Sequence, residues 1–284
     1  MQNGDIKWDW KIDNKTSFWS HSIKELWSYR YLLAGLVRRN FLVNYQQTVL
    51  GPLWVLIQPL ITLVTYFFVF TKLAGISTGS LPPVLFYSSG IVLWNFFNDS
   101  FLGTSNTFKD NANIFSKVFF PRIIIPISII STQFLRFIIQ LLMLLTMVVY
   151  YYIFLELPLQ LSIWSFAFPV AILGVGAFSL GVGLLFSILT AKYRDLNNIV
   201  SLGIRMFMFV TPVIYPLGFV SEKVRWIVQL NPLSSLFELF RLSLLGEGFV
   251  TVLQLLYSFI FILFTLIGAV LFFNKQGDKL IDIV

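Results

Sequence analysis

Long runs of apolar residues make up most of the chain, and short polar breaks separate them. The run from Trp164 to Thr190 carries no charge, and the run from Ile199 to Tyr215 carries only Arg205. A helix needs roughly 20 predominantly apolar residues to cross the hydrocarbon core of a bilayer. Because runs of this length recur, the pattern predicts an all-α integral membrane protein rather than a soluble domain with an outsized core.

Six of these runs are predicted to be transmembrane helices. Their expected limits are about 52–72, 83–103, 121–154, 164–190, 198–215 and 252–273. The fourth run contains Gly174, Gly176, Gly181 and Gly183, and small residues of this kind allow helices to approach closely in a membrane. Together the runs form a single transmembrane domain, residues 19–284, preceded by a polar N-terminal extension at 1–18.

The segment 19–45 has the periodicity of an amphipathic helix, with apolar residues recurring at steps of three or four. Lys24, Arg30, Arg38 and Arg39 give this helix a basic character. The pattern is typical of a helix in the membrane interface, and equally of a solvated helix packed on the protein's own loops. Both interpretations place it outside the hydrocarbon.

The segment 216–248 contains two apolar pieces, Val224–Leu230 and Leu233–Leu245, which Asn231-Pro232 separates. Each piece is too short to cross a bilayer, and segments of this length are typical of re-entrant or interfacial helices. We therefore expect a helical hairpin that enters the outer face. A plain extracellular loop is the alternative, but the second piece is unusually apolar for one.

Basic residues follow the loops on one side of the predicted spans, and this excess indicates the cytoplasmic side. That side would hold Lys7, Lys11, Lys15, Lys24, Arg30, Arg38, Arg39, Lys109, Lys117, Arg122, Lys192, Arg194, Lys275 and Lys279. The other side would hold Lys72, Lys223, Arg225 and Arg241, with Glu222, Glu238 and Glu247 as counter-charges. Both termini are therefore expected in the cytoplasm. The net charge of +7 does not indicate nucleic-acid binding, because it follows the membrane loops.

Composition excludes several kinds of chemistry. The chain has no cysteine and a single histidine, His21, which argues against disulfides, thiol catalysis and a histidine-rich metal site. No phosphate-binding loop or dinucleotide fingerprint is present. If ATP drives this protein, a separate subunit must hydrolyse it. Asp99, Asp110 and Glu156 are too scattered to suggest the catalytic carboxylates of a membrane-embedded glycan-modifying enzyme.

Several short motifs carry a family resemblance in their order and spacing. They are Tyr45-Gln46-Gln47-Thr48-Val49-Leu50-Gly51-Pro52-Leu53-Trp54 leading into Gln58-Pro59, Tyr193-Arg194-Asp195-Leu196, Thr211-Pro212-Val213-Ile214-Tyr215-Pro216, and Asn231-Pro232. From about Tyr31 onward the chain resembles the permease subunits of ABC transporters that export polysaccharides of the O-antigen, capsule and teichoic acid class. Each motif alone is weak, and none of them indicates one particular polymer.

The resemblance implies a homodimer with a pore along its axis and two ATP-binding-cassette subunits beneath it. These subunits would bind ATP and Mg²⁺, and this chain would bind no cofactor. It also implies contact surfaces for the ATPases, which we place at Arg38, Arg39, Lys109, Asp110, Lys117, Tyr193, Arg194 and Asp195. For Arg194 and Asp195 the alternative is an exposed ion pair that merely ends a helix, worth about 0–1 kcal/mol.

Two arginines lie inside predicted spans, where a charge is costly unless it faces protein or water. Gln133 and Gln140 share a helical face with Arg136, and Ser201 lies one turn before Arg205. We expect Arg205 to meet the phosphates or acidic sugars of a lipid-linked substrate, with a purely structural charge as the equal alternative. For Arg136 we favour the structural role.

Aromatic residues in the first two spans offer a second candidate surface along the transport pathway. Ring faces could contact sugar C–H groups with low specificity, although interfacial and lipid packing explains any single ring as well. The candidates are Tyr66, Phe70, Tyr87, Trp94 and Phe97, with Phe67 beside them.

We therefore expect a multi-pass protein of the bacterial inner membrane that passes lipid-linked polysaccharide outward without covalent chemistry of its own. One alternative is a related permease that exports a small drug or lipid. The other, less favoured, is the membrane-embedded glycan-modifying enzyme considered above.

Overall fold

The computed structural model describes residues 23–115, 120–156, 163–193 and 195–280. Every regular element within those ranges is helical, as the pattern predicts. The α-helices are α1 Ile23–Ser28, α2 Arg30–Val43, α3 Trp54–Tyr66, α4 Pro83–Ser105, α5 Thr107–Phe115, α6 Ile124–Leu155, α7 Phe168–Lys192, α8 Leu196–Val210, α9 Glu222–Leu230, α10 Pro232–Leu245 and α11 Val252–Leu280. Short 3₁₀ turns lie at Gly51–Leu53, Ile163–Ala167 and Leu217–Phe219, and a π-helix at Phe67–Leu73 extends α3.

Four helical stretches among the described residues are both long and apolar enough to cross a membrane. They are Gly51–Leu73, Ile124–Leu155, Trp164–Lys192 and Val252–Gln276, which match the first, third, fourth and sixth predicted spans. The fifth predicted span is shorter than expected: α8 has 15 residues, about 22 Å at 1.5 Å per residue. The chain then leaves the helix before Thr211, because Pro212 cannot continue it.

The second predicted span, α4, is long enough at 23 residues but too polar to be recognised by hydropathy. Its polar side chains lie inside the protein instead of against lipid. Ser88 and Ser89 are buried and donate to the carbonyls of Leu85 and Phe86, one turn earlier, at 3.1 and 2.8 Å. Because α3, α6, α7 and α10 all contact α4, this helix is the centre of the core and does not need an apolar surface.

The glycines of α7 lie where neighbouring helices come closest. A Cβ at Gly183 would be 2.6 Å from the Thr104 Cβ on α4, and one at Gly181 would be 3.1 Å from the Leu266 Cα on α11. These distances leave no room for a side chain, so the expectation that the glycines allow close packing is confirmed at both helices. The close approach gives α7 its large buried surface despite an apolar sequence without periodicity.

The basic helix α2 packs along the beginning of α6 and runs in the same direction. Leu36 is buried with Ile124 and Ile125, while the residues just after α2, including Tyr45, reach the level of Arg136. Part of α2 therefore packs on the protein's own helices, and its other face is exposed.

The two helices of the 216–248 segment differ in their surroundings. Nearly every side chain of α10 is buried, against α7, α11 and α4, whereas α9 exposes Val224, Trp226 and Leu230. The predicted break between them is present: the Asn231 side chain accepts a hydrogen bond from the Leu233 amide at 3.0 Å and caps α10. Asn residues at this position stabilise the first turn of a helix.

Some predictions concern parts of the chain that the structure does not describe. The N-terminal extension at 1–18, the beginning of the basic helix at 19–22, and the docking candidates Lys117 and Arg194 lie outside the described residues.

Candidate functional site

A polar cavity of about 190 Å³ lies where α6 meets α4, the start of α3 and the residues following α2. Asn44 and Tyr45 enter it from the end of α2, Gln58 from α3 and Asp99 from α4, while α6 contributes Arg136 and Gln140. A helix passing through lipid can present such groups only toward protein or water. The cavity therefore explains why this stretch of α6 tolerates a charge.

Arg136 is the centre of this cavity. Its Nη1 donates to the Gln133 Oε1 at 3.1 Å and lies 3.9 Å from the Asp99 Oδ2, and its guanidinium lies 5.1 Å from the Tyr45 ring centroid. Its side chain is 19% exposed and that of Asp99 is 43% exposed, so protein does not fully enclose the pair. These contacts tie Arg136 to neighbouring side chains, and its structural role stays a prediction.

Gln140 joins the cavity to the first span. Its Nε2 donates to the Val55 carbonyl at 3.2 Å, and its Oε1 accepts from the Asn95 Nδ2 at 3.4 Å. Pro59 lies four residues after Val55 in α3 and has no N–H to donate to the Val55 carbonyl. The Gln140 side chain supplies a donor to that carbonyl instead. Gln140 therefore bonds to both α3 and α4, and Arg136 pairs with Asp99 of α4 and with Gln133 of its own helix.

Tyr45 closes the cavity on the side of the basic helix. Burial raises the pKa of its phenol above the ordinary value, and the neighbouring charge of Arg136 partly opposes that effect. The phenol therefore remains protonated at neutral pH and can donate a hydrogen bond into the cavity.

Arg241, on α10, is buried. From the sequence we expect it only as a charge on the outer side. Arg241 is 1% exposed; its Nη1 donates to the Glu238 Oε1 at 3.2 Å and its guanidinium lies 3.9 Å from the Phe86 ring centroid. Glu238 also accepts from the Phe249 amide at 2.7 Å. The signal available in the sequence was the spacing of Glu238 and Arg241, one helical turn apart within an apolar run.

Arg241 also holds the extended backbone that follows α8. Its Nη2 donates to the Val213 carbonyl at 2.8 Å, and a Cβ at Gly90 would lie 2.5 Å from that carbonyl oxygen. Irregular backbone at membrane depth is tolerated only where other groups satisfy it. Arg241 supplies the donor and Gly90 supplies the space.

Ser201 and Arg205, predicted as a pair on one face, do not bond to each other. The Ser201 hydroxyl donates to the Asn197 carbonyl at 2.8 Å. Arg205 is exposed on α8, and the structure gives it no hydrogen bond or ion pair with the described part of the chain. Arg205 is thus the arginine that α8 presents to its surroundings, in contrast to Arg136 and Arg241.

The candidate aromatic residues form two contact groups inside the bundle. Tyr66, Phe70 and Tyr87 lie within 6.5 Å of one another, measured between ring centroids, and Trp94 and Phe97 both contact Phe207 of α8. Tyr87, Trp94 and Phe97 are buried in the core of the chain, whereas Tyr66 and Phe70 are only partly buried. The packing therefore favours a role in the protein core for Tyr87, Trp94 and Phe97.

The described docking candidates are all on exposed surface. Arg38 and Arg39 lie on α2, Lys109 and Asp110 on α5, and Tyr193 and Asp195 between α7 and α8. The Lys192 Nζ lies 5.2 Å from the Tyr193 ring centroid. Asp195 stands at the N-terminal end of α8, where its side chain makes no capping hydrogen bond.

Most of the chain matches the model of one known protein family. The model of the ABC-2 type transporter family matches residues 31–245, from α2 to the end of α10. This chain belongs to the ABC-2 type transporter family. Both buried arginines, the loop between α7 and α8 and the two short helices lie inside the region shared with other ABC-2 transporters, whereas α11 follows it.

Curated relatives extend the similarity over nearly the whole chain. Two proteins from Klebsiella pneumoniae, both called O-antigen export system permease protein RfbA, are 30% identical to it. One alignment covers 89% of this chain and 95% of the relative, and the other covers 93% and 100%. A Myxococcus xanthus protein of the same name is 29% identical over 75% of this chain and 80% of its own length. As an ABC-2 permease subunit, this chain has no ATPase of its own.

The geometry of the polar cavity predicts coupling between Arg136 and Asp99. Arg136→Met should lower the stability of the purified protein by about 1 kcal/mol, because it leaves a partly buried carboxylate without its counter-charge. Adding Asp99→Asn should restore much of that loss. Thermal unfolding in detergent of the two single variants and the double variant measures the effect; strictly additive losses would show that the pair is not coupled.

Proposed function

We propose that this chain is the membrane-spanning subunit of an ATP-driven exporter that moves a lipid-linked, O-antigen-like polysaccharide from the cytoplasm across the bacterial inner membrane. The observation that carries this proposal is the nearly complete alignment with relatives named as O-antigen export permeases. Family membership alone would also fit a permease for small drugs or lipids, and the relatives favour the polysaccharide. A separate ATPase subunit would bind ATP and Mg²⁺.

We further propose six membrane crossings with both termini in the cytoplasm. Four crossings have long apolar helices; the other two would be α4, whose polar groups are buried by its neighbours, and α8 with the extended segment that Arg241 holds. This arrangement places the basic loops on the cytoplasmic side, as the distribution of Lys and Arg requires.

The conduit would form between two copies of the chain. One face of α8 exposes Ile199, Leu202, Met206 and Phe209, and Arg205 lies beside them. A second copy would cover the apolar face and leave the arginines facing a water-filled path, where they would meet phosphate or acidic sugar groups. Tyr66 and Phe70, which are only partly buried, would contribute ring surface to the same path.

The outer exit would be shaped by the two short helices of the 216–248 segment. Because α10 is enclosed by three helices and held through Arg241, the more exposed α9 is the part that would move. A short amphipathic helix at the surface can shift without breaking the packing of the spans.

The ATPase would bind the exposed cytoplasmic elements around α5 and the loop before α8. Lys109, Asp110, Tyr193 and Asp195 are exposed on short, helix-bounded segments, which can transmit closure of the ATPases to the spans as a rigid-body tilt. Arg39 of α2 is exposed in the same way and belongs to the same proposed surface.

The proposed topology predicts which positions an impermeant thiol reagent can reach. Single cysteines can be introduced because the chain has none of its own. Lys223→Cys should be labelled in intact spheroplasts, since α9 would face outward. Asp195→Cys should be labelled only after the membrane is opened; labelling of Asp195→Cys in intact spheroplasts would show the opposite orientation.

The proposed conduit predicts that the charge of Arg205 is needed for export. Arg205→Gln should lower delivery of polysaccharide to the outer face several-fold in cells that depend on this chain, because the path loses its attraction for anionic groups. Lipid-linked polymer should accumulate inside, while the amount of chain in the membrane stays normal.

Arg205→Lys is the matched control, since it keeps the charge and should retain most of the export. Unchanged export by Arg205→Gln would remove Arg205 from the transport path. No change in surface polysaccharide when the whole chain is deleted would reject the proposed function itself.

The proposed docking surface predicts that reversing one charge weakens ATPase binding. Asp195→Lys should reduce co-purification of the ATPase and lower export in parallel, because the charge lies on the loop between α7 and α8. Glu222→Lys makes the same change at the proposed outer face and should leave co-purification intact. Normal co-purification and export with Asp195→Lys would exclude a docking role for this loop.

A further inference from the structure

An apolar groove of about 460 Å³ lies between α2 and the first part of α6, separate from the Arg136 cavity. Leu33, Val37 and Phe41 of α2 form one wall, and Leu135 of α6 forms the opposite wall. Almost all the surface inside the groove is carbon. Water is a poor occupant of such a space, because the walls offer it few hydrogen-bond partners.

Two arginines of α2 stand at the rim of this groove. Arg30 and Arg38 both line it and both have exposed side chains. They are eight positions apart, about 12 Å along the helix, so one anionic group could lie between their flexible side chains. Among the described residues that line the groove there is no carboxylate, and the described contacts give Arg38 neither an ion pair nor a hydrogen bond.

The groove also lies at the depth of a membrane surface. Helix α6 has 32 residues, about 48 Å, and so exceeds a hydrocarbon core of about 30 Å by about 18 Å. If the excess is shared between both ends, the core begins near residue 130. Leu135 then lies inside the hydrocarbon, and α2, whose Leu36 packs beside Ile124 and Ile125, begins on the aqueous side of that boundary.

Two exposed aromatic residues support this depth. Trp27 and Tyr31 lie on either side of Arg30, where α2 begins, and their side chains are 70% and 75% exposed. Exposed Trp and Tyr side chains concentrate at the membrane–water interface. Arg30 lies 4.5 Å from the Tyr31 ring centroid, so its charge is held at the same level.

We propose that this groove binds one anionic phospholipid of the surrounding membrane. Its phosphate would lie between Arg30 and Arg38, and one acyl chain would follow Phe41 and Leu135. Basic pockets beside transmembrane helices recognise anionic headgroups in this way, and the carbon walls suit an acyl chain rather than a polar protein surface. The bound lipid would brace α2 against α6 next to the cytoplasmic loops.

Titration of the purified full-length chain with phosphatidylglycerol and with phosphatidylcholine, followed by native mass spectrometry, tests this site. The unaltered chain should bind phosphatidylglycerol more tightly. Arg30→Gln with Arg38→Gln should weaken phosphatidylglycerol binding about fivefold for each arginine lost and leave phosphatidylcholine binding unchanged. Ala34→Phe, which fills the groove, should weaken binding of both lipids.

Arg39→Gln is the matched control, because Arg39 lies on the same helix but outside the groove, where it bonds to the Asn40 Oδ1 at 3.2 and 2.9 Å. It should leave phosphatidylglycerol binding unchanged. An equal loss with Arg39→Gln would overturn the proposal in favour of general attraction to a basic helix, and no loss with the double variant would also overturn it.

Retained lipid binding in the double variant together with lost ATPase co-purification would assign the groove to a protein partner instead. The titration contains neither polysaccharide nor ATPase. Its outcome is therefore independent of the proposed export function, and either proposal can fail without the other.

Discussion

The absence of hydrogen-bonding partners in hydrocarbon is the constraint on which this architecture depends. Helix α4 meets it largely by turning polar residues inward, and Ser88 and Ser89 bond to carbonyls of their own helix. The buried Ser100 and Thr104 hydroxyls have no hydrogen-bond partner in the described part of the chain. The neighbours of α4 can then close around it, and the glycines of α7 let α4 and α11 approach to backbone distance. The most polar of the predicted spans is therefore the most enclosed, because protein rather than lipid is its solvent.

The same constraint gives three arginines of the bundle different surroundings. Arg136 shares a polar cavity with Asp99, and Arg241 is buried against Glu238, the Phe86 ring and the Val213 carbonyl. A buried charge is tolerated when nearby groups pair with it, as these three do, although the Arg241 Nε has no hydrogen-bond partner in the described part of the chain. Of these three arginines, Arg205 is the one that lies on an exposed helix face.

The segments around this core differ in how firmly they are held by neighbouring helices. The extended chain after α8 and the helix α10 are joined by two side chains, because Arg241 donates to the Val213 carbonyl and Asn231 donates to the Thr211 hydroxyl. On the other side α2 lies along α6 and carries exposed arginines beside an apolar groove. Rigid spans with exposed elements at their ends suit a subunit that receives force from a partner and contacts lipid throughout.

Hydropathy and proline positions in the sequence alone determined the all-helical class, four spans close to their observed limits and the break at Asn231, because these signals act locally. The family was predicted from the resemblance of short motifs in their order and spacing. The cost of a charge within a span also led to the prediction that Arg136 faces protein or a water-filled path. Only the tertiary structure decided that Tyr87, Trp94 and Phe97 are buried, that Ser201 does not bond to Arg205, and that Arg241 supports Val213. Those outcomes depend on which helix lies against which, and contacts between residues distant in the chain leave no periodic signal in one sequence.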